Sequence, residues 1–203
     1  MFIRNDPPAP IDAAALALLG RAEPATIGHF RHTGFIDPGV HGLIPGHRIA
    51  GTAVTVHCFG PDTTMVHYAL GKLRPGDVLL IDRAGDTRHA ACGGGVAFAA
   101  REAGCLGIII DGPATDIDEL RAYGLPVWAR GLSAVTGKRL FLYGEFCTEI
   151  SCGGVAVAPG DAVLADENGV LVLKPHEITA AGRAVSFGSP FGIIAHLFSD
   201  RLA

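Results

Sequence analysis

The chain has 203 residues, 49% of them apolar and 18% charged, with a formal net charge of −4 when histidine is neutral. That balance supports a packed core and excludes a disordered chain. No Lys/Arg cluster offers an electrostatic footprint for nucleic acid, no apolar run is long enough to span a bilayer, and the polar, proline-rich start Met1–Pro10 has no signal-peptide core, so a cytoplasmic protein that binds neither nucleic acid nor membrane is expected.

Ile11–Gly20 (IDAAALALLG) predicts a helix with Asp12 as N-cap, ending at Gly20. Pro24–Gly34 predicts a second short helix, and Phe35–Arg48, with three glycines and two prolines, a loop. Ile49–Cys58 is β-branched with partial alternation, which predicts a strand. A helix from Asp62 to about Leu73 would place Met65, Ala69, Leu70 and Leu73 on one face, and Arg74–Asp77 (RPGD) turns the chain. Val78–Asp82 and Leu106–Asp111 are short apolar runs, the mark of strands buried on both faces. Between them lie the loop Arg83–Gly95 and the helix Val96–Ala103. A further helix, Asp116–Tyr123, leads to a third strand at Pro126–Ala129. Strands joined through helices imply right-handed crossovers and a parallel sheet.

The last third changes character. Arg139–Ile150, Gly154–Ala158, Ala162–Ala165 and Gly169–Leu173 predict strands, with Asn168-Gly169 as a hairpin turn. A weak helix near His176–Ala184 precedes an apolar tail, Phe187–Phe198, which is expected to pack on the body or on another subunit. Five cysteines at 58, 92, 105, 147 and 152, an odd number without CxxC spacing, predict reduced, mostly buried thiols. With α/β in the middle and β at the end, the chain is expected to form one layered α/β domain with mixed sheets over 1–203.

The chemistry concentrates between Asp82 and Asp116 (DRAGDTRHAACGGGVAFAAREAGCLGIIIDGPATD). Gly93–Gly95 lead directly into a helix, so the amides around Gly95 and Val96 form either a carboxylate or phosphate cradle or merely a tight turn. The pattern is neither a dinucleotide fingerprint, since Phe98 stands where a third glycine is needed, nor a Walker A loop. Asp116 follows the end of the second buried strand, where open α/β sheets bind ligands. It is either a ligand for a hard cation or, with Glu119 three residues on, a near-capping box for its own helix. Arg88 and His89 precede the glycines. They are either a carboxylate anchor and a general base or metal ligand, or solvated loop residues. Cys92 has no base at defined spacing and is read as an inert thiol.

These residues and their flanks resemble the RraA-like family, which includes 4-hydroxy-4-methyl-2-oxoglutarate aldolases. Matching pieces run in order: Ala50–Val56 (AGTAVTV), Arg74–Val78 (RPGDV), Gly107–Gly112 (GIIIDG), Pro126–Gly131 (PVWARG), Gly153–Val157 (GGVAV), Pro159–Asp161 (PGD) and Asp166–Val170 (DENGV). The resemblance implies a β/β/α swivelling fold like the phosphohistidine domain, and a homotrimer or dimer of trimers with sites near subunit boundaries. It also implies Mg²⁺- or Mn²⁺-dependent cleavage of 4-hydroxy-2-oxo acids, or decarboxylation of oxaloacetate. The aldolase signature is an acid, twenty intervening residues, then Arg-Asp. Here Thr115-Asp116 stands at the Arg-Asp position and Gly94 at the acid. Asp116 thus matches the metal-ligating aspartate, Thr115 replaces the substrate arginine, and Gly94, Gly95, Val96 and Thr115 would line a small anionic substrate. Three functions stay open: a lyase with a shifted site built from Asp116, Arg88, His89 and the cradle; a non-catalytic binding protein like the RraA regulator of RNase E; or an isomerase or hydratase on a related acid.

Overall fold

The computed structural model describes residues 1–179 and Ala181. In chain order the elements are β1 (Phe2–Arg4), α1 (Ala13–Leu19), α2 (Pro24–Gly28), β2 (His41–Gly42), β3 (Ile49–His57), α3 (Thr64–Leu70), β4 (Asp77–Asp82), α4 (Gly94–Glu102), β5 (Gly107–Asp111), α5 (Ile117–Tyr123) and β6 (Val127–Ala129). They continue with β7 (Gly144–Phe146), β8 (Ile150–Cys152), β9 (Val155–Val157), β10 (Ala162–Asp166), β11 (Gly169–Leu173) and a final 3-10 turn, Pro175–Glu177.

Four parallel strands in the order β3-β4-β5-β6 form the centre of a mixed sheet. β10 runs antiparallel to the first half of β3 and β7 antiparallel to its end, while β1 adds to β7 and β2 to β6. The apolar runs explain the centre. Alternate residues of β3, β4 and β5 face opposite ways. Val54, Val56, Leu79, Ile81, Ile108 and Ile110 pack beneath the apolar sides of α3, α4 and α5, including Met65, Ala97, Ala100 and Leu120. Ala53, Val78, Leu80, Ile109 and Trp128 join the other face to residues of β8–β11, Ile36 and Val40. Each Leu, Ile or Val so buried stabilises the fold by about 1.5–3 kcal/mol. A third cluster seats α1 and α2 against the β10–β11 hairpin. Among the described residues no helix is long and apolar enough to cross a membrane.

Asp12 caps α1 as expected, its Oδ1 accepting from the amides of Ala14 and Ala15 at 3.0 and 3.1 Å. The hairpin turn also falls as expected, Asp166 pairing with Gly169. Other expectations need correction. Arg139–Ile150 is not one strand: only Gly144–Phe146 joins the sheet. The amides of Leu140, Leu142 and Tyr143 instead donate to the buried carboxylate of Asp62, so a side chain takes the bonds that a ladder would have made. Phe2–Arg4 forms a strand that no periodicity announced, since three residues carry none. The second helix ends at Gly28, six residues before Gly34, α3 is confined to Thr64–Leu70, and α4 begins two residues early, at Gly94. The helix expected near 176–184 begins with the 3-10 turn. Its later part and the tail Phe187–Phe198 lie outside the described residues.

Candidate active site

β4 and β5 end in register at Asp82 and Asp111, and the loops that leave them run side by side. Cys92 bridges to Ala114, and Ala114 to Leu132. The Thr115 amide donates to the Cys92 carbonyl at 2.8 Å, that of Ala91 to Pro113 at 3.1 Å, and that of Ala114 to Gly131 at 2.9 Å. Loops following three neighbouring parallel strands are thereby zipped together at the carboxyl end of the sheet, the place where such sheets gather ligands.

This zipper sets Asp116 on the glycines. The Gly94 N–H donates to Asp116 Oδ2 at 3.1 Å. A Cβ on Gly93 would meet that oxygen at 2.3 Å, so residue 93 has to be glycine while Asp116 stays where it is. Asp116 itself is left-handed, with φ 55° and ψ 47°. A non-glycine residue there costs on the order of 1–3 kcal/mol, and such strain clusters at functional sites. The reading of Asp116 as the cap of its own helix is corrected: its side chain makes no bond to α5 and instead caps α4, across the loops.

That contact also corrects the part given to Gly94. Its amide is taken, and its side-chain space is filled. A Cβ on Gly94 would fall 1.5 Å from Glu119 Oε2 and 2.6 Å from Glu119 Cδ. Sequence reasoning treated Glu119 only as a capping residue and missed this placement. The one signal in the sequence was that Glu119 follows Asp116 by three residues and so falls in the first turn of the helix that leaves the Asp116 turn. The amides of Gly95 and Val96 have no protein partner among the described residues. The space beside Gly95 is open, with no atom within 4 Å of a Cβ placed there, whereas the Val96 side chain is buried. Thr115 is half-buried, its hydroxyl donating to Asp116 Oδ1 at 3.3 Å.

Arg88 and His89 are organised by Asp86 rather than by the glycines. Asp86 Oδ1 accepts the amides of Arg88 and His89 at 2.7 and 3.0 Å, and Oδ2 lies 2.8 Å from His89 Nδ1. Burial pushes the Asp86 carboxyl up, but those amides and the His89 ring outweigh it and hold it below the ordinary range. Beneath them Arg83 is fully buried, bonded to Cys58 Sγ at 2.7 Å, to Asp86 Oδ2 and the His89 carbonyl at 3.3 Å, and to the Gly60 carbonyl. It is a strut under the loop. The Arg88 guanidinium has no hydrogen-bond partner among the described residues, and neither Arg88 nor His89 bonds to Asp116 or to the glycine turn. Cys92 is buried, and desolvation, with Asp116 nearby, pushes its thiol up to about 12, as befits an inert sulfur. All five cysteines are free and buried.

Among the described residues no three His, Cys, Asp or Glu side chains gather into a closed metal cage. The donors at the site suit a different ion. Asp116 and Glu119 are exposed carboxylates lying over Gly93 and Gly94 respectively, and a hard cation such as Mg²⁺ is held by one or two carboxylates while keeping water for a substrate to replace. The glycine cradle, which Cβ atoms would fill, admits both carboxylates.

The fold is a mixed α/β one that brings a carboxylate and a glycine turn together at the carboxyl end of its parallel strands. The chain belongs to the RraA-like (Aldolase/RraA) family, whose model matches residues 14–172. A Halalkalibacterium halodurans protein with a provisional 4-hydroxy-4-methyl-2-oxoglutarate aldolase name is 35% identical over 126 residues, which are 62% of this chain and 60% of that protein. The chain therefore spans about 60% of the length of that relative. Among solved structures, Streptomyces coelicolor RraAS2, described as an unusual member of the RNase ES inhibitor RraA family, superposes with a TM-score of 0.80 at 22% identity, covering 92% of this chain and 98% of that one. The RNA-processing inhibitor RraA of Thermus thermophilus gives 0.68 at 28% identity, covering 75% and 93%.

Proposed function

We propose that this chain is a divalent-metal-dependent carbon–carbon lyase acting on a small oxo or hydroxy acid by retro-aldol cleavage or decarboxylation. The observation that carries the reading is Asp116: an exposed carboxylate, held in a strained backbone conformation and fixed by the Gly94 amide at the mouth of α4. Relatives named for 4-hydroxy-4-methyl-2-oxoglutarate aldolase activity support it at the level of the family.

In this reading Asp116 holds Mg²⁺ or Mn²⁺. An ion held there would polarise the 2-oxo group and so ease scission of the bond between the next two carbons, C3 and C4. The unpartnered amides of Gly95 and Val96, at the positive end of α4, receive the substrate carboxylate. Thr115 cannot supply the planar fork of an arginine, and Arg88, whose guanidinium is uncommitted, takes over that charge. His89 moves the proton. Asp86 fixes its Nδ1, which leaves Nε2 to take the hydroxyl proton of a 4-hydroxy-2-oxo acid and return it to the product carbon. The finer features belong to the same proposal: a homotrimer or dimer of trimers, a swivelling-type layering, and a cytoplasmic setting.

The test is release of pyruvate from oxaloacetate and from 4-hydroxy-2-oxo acids, with Mg²⁺ or Mn²⁺ and with EDTA. Metal-dependent turnover supports the reading, and its absence in folded protein removes it. One observation favours a second reading. With Thr115 in the arginine position and Gly94 in the acid position, the chain fits a non-catalytic binding protein, and retention of an RNase E-type nuclease by an inactive chain would support that.

A further inference from the structure

We propose that the buried Arg83 is a positioning residue: its guanidinium pins the Asp86 carboxylate on His89 Nδ1 and so keeps the other ring nitrogen, Nε2, free to move a proton. The catalytic half of the inference rests on the lyase reading above. The arrangement begins in the turn that leaves β4. The Asp86 amide donates to the Arg83 carbonyl at 3.0 Å, and the two residues between, Ala84 and Gly85, both have positive φ, 51° and 79°. Two left-handed residues in succession fold a chain sharply back on itself, and alanine adopts that conformation only at a cost. The fold-back brings Asp86 Oδ2 within 3.3 Å of Arg83 Nη2. Gly112, just past the end of β5, leaves room for it: a Cβ there would lie 2.6 Å from Arg83 Cγ and 3.1 Å from the Asp86 carbonyl oxygen.

Arg83, Asp86 and His89 form a row from core to solvent. Side-chain exposure rises along it from 0% to 11% to 23%, so the cation lies innermost and the imidazole outermost. Asp86 Oδ2 is shared between the two, 2.8 Å from His89 Nδ1 and 3.3 Å from Arg83 Nη2. An ionised carboxylate only accepts, so the neutral ring beside it carries its hydrogen on Nδ1. The same Nη2 donates to the His89 carbonyl at 3.3 Å, so one nitrogen of Arg83 holds both the backbone of His89 and the carboxylate that orients its ring. Bonds to Cys58 Sγ and the Gly60 carbonyl anchor the guanidinium to the loop after β3. Asp86 is its one ion-pair partner among the described residues, and its buried Nε has none. A buried cation with an unmatched N–H is less favourable than an apolar side chain of the same length. Packing alone therefore gives no reason for a charge at this place, whereas holding a carboxylate does.

The test is ¹⁵N NMR of the histidine rings in full-length protein, with His89→Gln assigning the signal and circular dichroism reporting the fold. Steady-state kcat and KM are measured alongside with Mg²⁺ or Mn²⁺. In the unmodified protein, neutral His89 is expected to carry its hydrogen on Nδ1 alone. Arg83→Lys keeps a cation and is expected to keep that single tautomer. Arg83→Gln keeps a polar donor without the charge. It is expected to lose the single tautomer, as Asp86→Asn is, and to lower kcat by roughly tenfold or more with KM little changed. A packing role would not produce that pattern. Folded Arg83→Gln that retains the Nδ1–H tautomer overturns the inference, and so does folded Arg83→Lys that loses it. An Nε2–H tautomer in the unmodified protein overturns it without needing any variant to fold. Loss of the single tautomer in Arg83→Gln, when the unmodified protein shows no turnover, upholds the positioning and sinks the lyase reading. Turnover whose kcat is unchanged by Arg83→Gln overturns the inference and leaves the lyase reading standing.

Discussion

The Gly94 amide and the Asp116 carboxylate meet at 3.1 Å across two loops that are 22 residues apart in the chain. The bond ties the start of α4 to the loop after β5, and it makes one site of two segments that share no helix or strand. Removing the conditions for that bond gives the first expectation.

Gly93→Ala puts a methyl 2.3 Å from Asp116 Oδ2 and 2.8 Å from Thr115 Cγ2. The overpacking is expected to cost about 1–3 kcal/mol and to push Asp116 off the Gly94 amide. Thermal unfolding measures the first effect and Mn²⁺ affinity the second. Both are expected to fall together, because one displacement causes them.

Arg88→Ala is expected to raise KM for the substrate acid with little change in kcat, by the worth of one charge-assisted hydrogen bond, about 1.5–3 kcal/mol, or roughly tenfold to somewhat over a hundredfold. Steady-state kinetics decide it. A fall in kcat at constant KM would give Arg88 a different part.

Asp62 is the hub of the segment 140–143. Its carboxyl is held down at about 2: burial alone would raise it, but the Thr64 hydroxyl and amide and the amides of Leu142 and Tyr143 outweigh burial. The folded value lies below the unfolded one, about 3.9, so the stabilisation is complete above about pH 4 and is lost as pH falls towards 2. Asp62→Ala leaves those donors short of an acceptor and is expected to destabilise the fold by roughly 2–4 kcal/mol. Denaturant unfolding at pH 7 and pH 3 tests both statements, the gap between the unmodified protein and the variant narrowing at the lower pH.

His57 gives the opposite sign. Its Nδ1 lies 2.8 Å from Asp82 Oδ2, and that bond, with help from the charges of Asp82 and Glu145, raises the imidazole above its usual value against the pull of burial and Arg83. The protonated ring therefore adds stability in full below about pH 6.5, and that stability is lost as pH rises through the folded value. Proton NMR of the ring is expected to titrate above 6.5, and His57→Gln to flatten this part of the stability profile.

The core and the parallel centre of the sheet were legible because β4 and β5 are short, wholly apolar runs flanked by turn residues, and burial on both faces leaves no other reading for Val78–Ile81 or Ile108–Ile110. Asp12, Gly20 and Asn168-Gly169 marked their boundaries for local reasons that tertiary structure did not override. The segment 139–150 was misread because its apolar residues suggested a strand while its amides were bound to Asp62, a residue far off in the chain. The meeting of the Gly93–Gly95 turn with Asp116 was legible from the rule that ligands gather at strand ends. What spacing along one chain could not reveal was which helix Asp116 caps and what fills the place of a side chain on Gly94. Those depend on how α5 lies against α4, a matter of packing between helices.

The most direct test of the central claim is the position of Mn²⁺ in crystals soaked with the ion, located by its anomalous scattering. The account predicts a peak within coordination distance, about 2.0–2.3 Å, of an Asp116 carboxylate oxygen, and no peak there in Asp116→Asn. A Mn²⁺-dependent enzyme whose ion sits elsewhere, with Asp116 still bonded only to the Gly94 amide, would contradict it.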